Sequence, residues 1–150
     1  MNLLSRRSVL AIAAVVDIAL HSLSEPVAAK ALAARHKLPP RYLEPLLQGL
    51  VHANIVRGVP GPHGGYKLVR DRGRITTGEI VRLAMSLSRA DPEDLGANSV
   101  LLERVIDPAV RRAGEIFLAN LDSITVAQMC ETAEKSHVVD DEKVSGDFAI

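Results

Sequence analysis

The chain has 150 residues, of which 47% are hydrophobic and only 3% aromatic, with no Trp and a single Cys. This apolar fraction excludes a chain that is disordered throughout, and the length suits one domain whose core is built from Ala, Leu, Val and Ile. The lone cysteine, Cys130, excludes an internal disulfide and a multi-cysteine zinc site.

The net charge of zero conceals a strong difference between the two parts of the chain. Residues 1–90 contain 13 Lys and Arg against 5 Asp and Glu, a net charge of +8. Residues 91–150 contain 5 Lys and Arg against 13 Asp and Glu, a net charge of −8. This division indicates that the basic residues 1–90 bind a polyanion and that residues 91–150 form a separate acidic region. Two solvated faces of one globule would also produce it.

The first apolar stretch predicts a core helix over about residues 6–23, ended by Glu25-Pro26. The preceding Ser5-Arg6-Arg7 resembles a twin-arginine export signal, so export is an alternative. Asp17 interrupts the apolar run and no small-residue cleavage site follows it, which favours the core helix. The run is also too short to span a bilayer. We expect Asp17 to pair with an arginine rather than to mark a ligand pocket.

Two further helices, over residues 28–36 and 40–53, are separated by the break Lys37-Leu38-Pro39-Pro40. Each has an apolar stripe, and helix, tight turn and helix in this order predict a helix-turn-helix. Pro45 interrupts the third helix, which either kinks there or becomes regular only near Glu44.

Residues 55–69 predict a β-hairpin with a long tip, because two short β-branched runs flank a turn rich in Gly and Pro. Basic side chains lie on both arms. After a helix-turn-helix, such a hairpin has the position of the wing of a winged helix, which brings backbone N–H groups and cations to a nucleic-acid backbone. No phosphate loop, nucleophile elbow, zincin pair or dinucleotide fingerprint occurs, so we predict that the protein is not an enzyme.

A basic loop, Arg70–Arg74, leads to a fourth helix predicted over residues 77–88. Thr76 and Glu79 form a capping-box signature at its start. Residues 91–99 are polar and contain Pro and Gly, which predicts a linker.

An apolar helical face over residues 100–121 predicts a long helix, with a kink or a new start at Pro108. A short helix capped by Thr125 follows and ends at about Lys135. Residues 136–150 are acidic and sparse in apolar side chains, which predicts a disordered tail.

Four motifs stand out in these segments: Ser5-Arg6-Arg7, Arg41-Tyr42-Leu43-Glu44 followed by Leu46, Leu47 and Leu50, Gly61-Pro62-x-Gly64-Gly65-Tyr66, and Ile75-Thr76-x-Gly78-Glu79. In order and spacing they resemble the IscR/NsrR-type regulators of the Rrf2 family of bacterial transcription factors. The similarity is in register over about residues 1–85 and looser to Lys135.

The resemblance implies a mainly α-helical protein with a small β-hairpin. It divides the chain into a winged helix-turn-helix domain (residues 1–90), a linker with dimerisation helices (91–135) and the acidic tail (136–150). It implies a cytoplasmic homodimer that binds double-stranded DNA and acts as a repressor at a palindromic promoter site, with an effector that the sequence does not identify. The alternative from another class is a winged-helix module that binds protein partners through its acidic half and does not bind DNA.

The resemblance assigns DNA contacts to the N-terminal arm, the start of the third helix and the wing, and the charge of the hairpin adds cations on its arms. The predicted contacts are Ser5, Arg6 and Arg7; Arg41, Tyr42 and Glu44; Gly61, Pro62, His63, Gly64 and Gly65; and Arg57, Lys67 and Arg70. Three positions depart from the family pattern: Pro60 replaces a wing arginine, His63 a wing glycine and Pro45 a polar residue that often reaches the bases. We therefore expect a different operator preference.

Many regulators of this type bind an iron–sulfur cluster through three closely spaced cysteines before the dimerisation helix. Residues 91–104, where these ligands would fall, contain no cysteine. Because cluster ligation is overwhelmingly by thiolate, we predict a protein without a cluster or other cofactor. Cys130, beside Met129, is expected to be a small buried hydrophobe rather than a sensor.

Overall fold

A computed structural model describes residues 3–88 and 98–139; the predicted linker residues 91–97 and tail residues 140–150 lie outside these ranges. The described part is mainly helical and contains one antiparallel hairpin, so the predicted fold class is confirmed. The helices are α1 (Arg6–His21), α2 (Ala29–Arg35), α3 (Pro40–His52), α4 (Thr77–Leu87), α5 (Asp107–Asp122) and α6 (Val126–Lys135), and the strands are β1 (Val56–Val59) and β2 (Gly65–Leu68).

Helix α1 lies in the centre of the core, where Ala11, Ala14, Val15 and Ile18 are fully buried. It packs against α2, α4, α6 and β2. The first apolar stretch is therefore a core helix, as predicted, and it ends two residues earlier than predicted. None of the helices in residues 3–88 and 98–139 is both long and apolar enough to cross a membrane.

Asp17 is a buried carboxylate that joins α1 to the end of α2. Arg35 donates from Nη2 to Oδ1 at 2.5 Å and from Nε to Oδ2 at 2.9 Å, which confirms the predicted pairing with an arginine. The sequence analysis missed the two histidines beside it: His36 Nε2 lies 2.9 Å from Oδ2 and His21 Nδ1 lies 3.2 Å from Oδ1. Burial would raise the pKa of Asp17, but the hydrogen bonds from His36 and Arg35 lower it below its ordinary value.

The turn between α2 and α3 is short because Lys37 takes a left-handed conformation, with φ of 54°. The Leu38 N–H then bonds to the Ala33 carbonyl at 2.9 Å. Pro40 begins α3, where its missing N–H costs nothing. The helix continues through Pro45, so the alternative in which it becomes regular only near Glu44 is wrong.

The C-terminal part is a long exposed helix followed by a short docked one. A π-helical stretch, Leu102–Ile106, continues into α5 without a break, and Pro108, the predicted kink or new start, lies in the first turn of α5, where the π-helical geometry has ended. The predicted capping box of α6 is present, since Thr125 accepts from the Gln128 N–H and the Gln128 side chain accepts from the Thr125 N–H. Large apolar side chains remain exposed along this helix at Val100, Leu101, Val105, Ile106, Val110 and Ile116.

Replacing Asp17 with Asn should lower the free energy of unfolding by about 3 kcal/mol at pH 7, because the Arg35 guanidinium loses its charge partner in a largely buried site. Urea denaturation measures this difference. Because folding lowers the pKa of Asp17 from about 3.8, its stabilisation is present above that pH and is lost as the pH falls through the folded value.

The difference in the free energy of unfolding between the wild type and Asp17→Asn should therefore become smaller at acidic pH. Glu131→Gln, which breaks an exposed ion pair with Lys135 on α6, is the matched control and should leave the unfolding midpoint close to that of the wild type. Equal stability of the Asp17 variant and the wild type at pH 7 would contradict the assignment.

Candidate nucleic-acid interface

The N-terminal arm leads directly into α1. Ser5 is the N-cap of this helix, and its Oγ accepts from the Ser8 N–H at 3.2 Å. Arg6 and Arg7 are exposed in the first turn. Arg7 also donates to the Leu87 carbonyl at the end of α4, at 3.2 Å. The arm is therefore ordered against the helical body.

The start of α3 presents polar side chains on the side opposite its apolar stripe. Arg41, Tyr42 and Glu44 are exposed, whereas Leu43 is fully buried. The Arg41 guanidinium lies 5.3 Å from the centre of the Tyr42 ring, within the range of a cation–π contact. The three DNA contacts predicted at the start of α3 thus lie on one accessible surface.

The arm and the start of α3 meet. One shallow depression has Leu10, Leu38 and Leu46 as apolar lining residues, and the remaining lining residues are Arg6, Arg7 and Tyr42. Two of the three predicted contact regions are therefore brought together by the packing of α1 against the helix-turn-helix.

The wing is a short antiparallel hairpin that carries two cations at paired positions of its strands. Arg57 on β1 lies directly opposite Lys67 on β2. The tip spans residues 60–64, where Gly61 has φ of 108° and accepts from the Gly64 N–H at 3.0 Å. The left-handed conformation at Gly61 strains any residue that has a Cβ. Pro62 and His63 are exposed at the tip.

The end of the hairpin next to the tip is bound to the segment that precedes α2. Val27 and Tyr66 exchange backbone hydrogen bonds of 2.8 and 2.9 Å. A Cβ at Gly65 would collide with the Val27 carbonyl, so this position requires glycine for close approach. Tyr66 is partly buried against the core.

Arg70 differs from the other predicted cations because the protein supplies its counter-charge. Its guanidinium binds both carboxylate oxygens of Glu79, at 2.6 and 3.3 Å, and donates to the Asn54 carbonyl at 3.2 Å. Because the Glu79 carboxylate binds Arg70, only one of the two hydrogen bonds of the capping box predicted at Thr76 is formed. Thr76 accepts from the Glu79 N–H at 3.2 Å, but the Glu79 carboxylate faces Arg70.

Five of the predicted cations lack a carboxylate partner. Among the residues that the structure describes, no carboxylate lies within 4 Å of Arg6, Arg7, Arg41, Arg57 or Lys67. The four arginines are exposed and Lys67 is partly exposed, so their charge is available to an external anion.

The sequence analysis missed a second polar cluster, at the contact between α4 and the end of α5. Arg82 binds both carboxylate oxygens of Asp122, at 2.5 and 2.8 Å. The two residues are 40 positions apart, so no local pattern could pair them. The available signal was Gly78, a glycine in the first turn of a helix, where a Cβ would overlap with the Asp122 carboxylate.

The residues present do not fit an iron–sulfur cluster. Cys130 is fully buried, and burial raises the pKa of its thiol, an effect that nearby Arg72 reduces. A single thiol in this state cannot replace the three or four thiolates that such clusters take. In the described ranges, no group of three or more His, Cys, Asp or Glu could hold a metal ion.

Comparison with known sequences identifies the family of this chain. The Rrf2 family model, described as an iron-dependent transcriptional regulator, matches residues 4–132. A Synechocystis sp. protein assigned as an HTH-type transcriptional regulator, slr0846, is 33% identical over 127 residues, which cover 84% of this chain and 86% of that protein. The HTH-type transcriptional regulator IscR of Xenorhabdus nematophila is 41% identical over 71 residues, so the match spans 47% of this chain and 43% of that relative.

Solved structures agree with the sequence comparison. The structure of T. potens IscR superposes with a TM-score of 0.71 at 31% identity and covers 89% of each chain. CymR (YrzC), the global cysteine regulator of B. subtilis, superposes with a TM-score of 0.65 at 25% identity, covering 88% of this chain and 98% of that one. These relatives are transcriptional regulators and not enzymes. The chain belongs to the Rrf2 family of transcriptional regulators.

Proposed function

We propose that the protein is a cytoplasmic homodimer that represses transcription by occupying a palindromic promoter site. The observation that carries this proposal is the group of unpaired cations at the start of α1, at the start of α3 and on the wing. A duplex polyanion would supply the counter-charge that the described part of the protein does not.

In the proposed complex α3 enters a major groove and the wing tip enters the adjacent minor groove. Glu44 accepts from a cytosine amino group, while Tyr42 packs against sugar or phosphate. Arg70 is left out because Glu79 and Asn54 hold its guanidinium. The proposed contacts are Ser5, Arg6, Arg7, Arg41, Tyr42, Glu44, Arg57, Gly61, Pro62, His63, Gly64, Gly65 and Lys67.

The exposed apolar face of α5 and the preceding π-helical stretch supports a dimer. Several large apolar side chains exposed along one helix mark an interaction surface. A second copy that packs its own α5 there would place two reading helices about 34 Å apart, one turn of the duplex. A dimer bound in this way blocks access of the transcription machinery to the promoter.

Fluorescence anisotropy with DNA selected in vitro by the protein tests the interface. Arg57→Ala should weaken binding to all sequences and reduce the magnitude of the log–log salt slope by about 1.8, because each of the two subunits loses one phosphate contact worth about 0.9. Arg41→Ala should lower affinity for the selected site by about tenfold while leaving binding to scrambled DNA nearly unchanged.

Lys135→Ala, which removes an equal charge from α6, is the control and should leave the salt slope unchanged. Failure of the folded wild-type protein to bind any DNA at low salt would end the proposal. It would favour the alternative of a module that binds only protein partners.

Val110→Glu should convert the dimer to a monomer, because it places a charge in the proposed apolar interface. Val110 is exposed in the single chain, so the variant should keep its fold. Sedimentation velocity measures the mass, and circular dichroism checks the helical content. Glu115→Lys, on the side of α5 that also carries Arg104 and Arg111 at helical spacing, should remain dimeric. A monomeric wild type would overturn the proposed dimer.

Iron chelation should leave DNA binding unchanged, since the chain lacks the thiolates that an iron–sulfur cluster requires. Anaerobically purified protein, measured with and without a strong iron chelator, should give the same affinity for the selected site. A chelator-dependent loss of affinity would show that iron enters through other ligands.

A further inference from the structure

The end of α5 is fastened to the first turns of α4 by a set of contacts that we call the α4–α5 joint, defined by Gly78, Arg82 and Asp122. The Arg82 guanidinium holds the Asp122 carboxylate through two hydrogen bonds, and the carboxylate lies against the bare Cα of Gly78. Thr77 reinforces the joint, because its Oγ1 donates to the Leu121 carbonyl at 2.7 Å. The joint therefore fixes both the position and the direction of the end of α5.

The backbone on either side of the joint is also paired. The Thr77 N–H donates to the Ile124 carbonyl at 2.8 Å, and the Val126 N–H donates to the Ile75 carbonyl at 2.9 Å. These two bonds join the segments that begin α4 and α6. The C-terminal end of α5 thus enters a rigid part of the molecule.

Beyond the joint, α5 has little support from its own chain. Every residue from 103 to 116 is exposed. From Asp122 back to Val100 the helix extends roughly 30 Å at 1.5 Å per residue. A rotation of about 10° at the joint would move the far end by about 5 Å, more than one base-pair step of about 3.4 Å.

The same part of α4 also holds the wing. Glu79, which follows Gly78, binds Arg70 just beyond β2. Three residues later, Arg82 binds Asp122. About one turn of α4, from Glu79 to Arg82, therefore connects the base of the wing to the helix that carries the proposed dimer interface.

We propose that the Arg82–Asp122 pair, seated on Gly78, sets the angle between α5 and the winged helix and thereby the spacing between the two reading helices of the dimer. This inference rests on the dimeric DNA-binding function proposed above. Arg82 and Asp122 are positioning residues and touch no DNA in this arrangement.

The exposure of the pair makes this role separable from folding. The side chains of Arg82 and Asp122 are 49% and 40% exposed, so the ion pair contributes little to global stability. Its bidentate geometry nevertheless restricts the angle between the helices that carry it. The hydrogen bonds from Arg82 also lower the pKa of Asp122, so the carboxylate is ionised at neutral pH.

The test measures binding to DNA in which the two half-sites selected by the wild type are separated by spacers that differ by one base pair. The wild type should prefer one spacer by about tenfold, because a mismatched spacing forces the duplex to twist or bend. Asp122→Ala, Arg82→Ala and the double variant should all broaden this preference to the same profile, since each removes the same pair. Binding to an isolated half-site should not change.

Glu131→Ala is the matched control, because it breaks the 2.7 Å Lys135–Glu131 ion pair on α6 and should keep the wild-type spacer profile. A wild-type profile in Asp122→Ala would overturn the inference, as would a monomeric Asp122→Ala protein. Absence of DNA binding by the wild type would instead contradict the proposed function on which the inference rests.

A second measurement needs no DNA. A spin label on His63→Cys at the wing tip reports the distance between the two wings of a dimer, and the native Cys130 is fully buried and protected from labelling. The wild-type background should give one narrow distance distribution, and Asp122→Ala should widen it. Equal widths in the two proteins would count against the positioning role.

Discussion

The packing of the other elements depends on the burial of α1 at the centre of the core. Its inward side consists largely of small and β-branched residues, so neighbouring elements approach closely and the apolar surface is removed from water without large aromatic side chains. Helices α2, α4 and α6 and strand β2 all pack against it. The start of this helix carries Arg6 and Arg7, so the element that builds the core also places two cations at the proposed interface.

Several arginines in the described part of the chain differ in their partners although their side-chain chemistry is the same. Arg35, Arg70 and Arg82 each bind a carboxylate from another part of the fold and thereby join elements that are distant in sequence. Arg41 and Arg57 face solvent without such a partner in the described residues. A planar guanidinium suits both tasks, because it binds carboxylate and phosphate in the same bidentate manner.

Helix α5 is held to the rest of the described chain mainly at its C-terminal end. Its apolar side is exposed along most of its length, and its end is fastened by the polar contacts around Gly78, Arg82 and Asp122. Cys130 lies on α6 and is buried where this helix packs against the turn that contains Arg72.

The sequence determined the elements whose cause is local. Apolar spacing located the helices, Thr125 with Gln128 located the start of α6, and the Gly- and Pro-rich run located the wing. The resemblance to the Rrf2 family was confirmed over most of the chain. These features depend on backbone geometry and on short-range hydrogen bonds, which neighbouring residues largely specify.

Only the tertiary structure decided which charged side chains were already neutralised. Arg70 and Arg57 look alike in the sequence, yet packing brings Glu79 to the first and no described carboxylate to the second. In the same way, Asp17 acquired Arg35 and His36, and Asp122 acquired Arg82, from remote segments. Such pairs form where the folded chain brings distant segments within a few ångströms of each other, and spacing along the sequence carries no information on that distance.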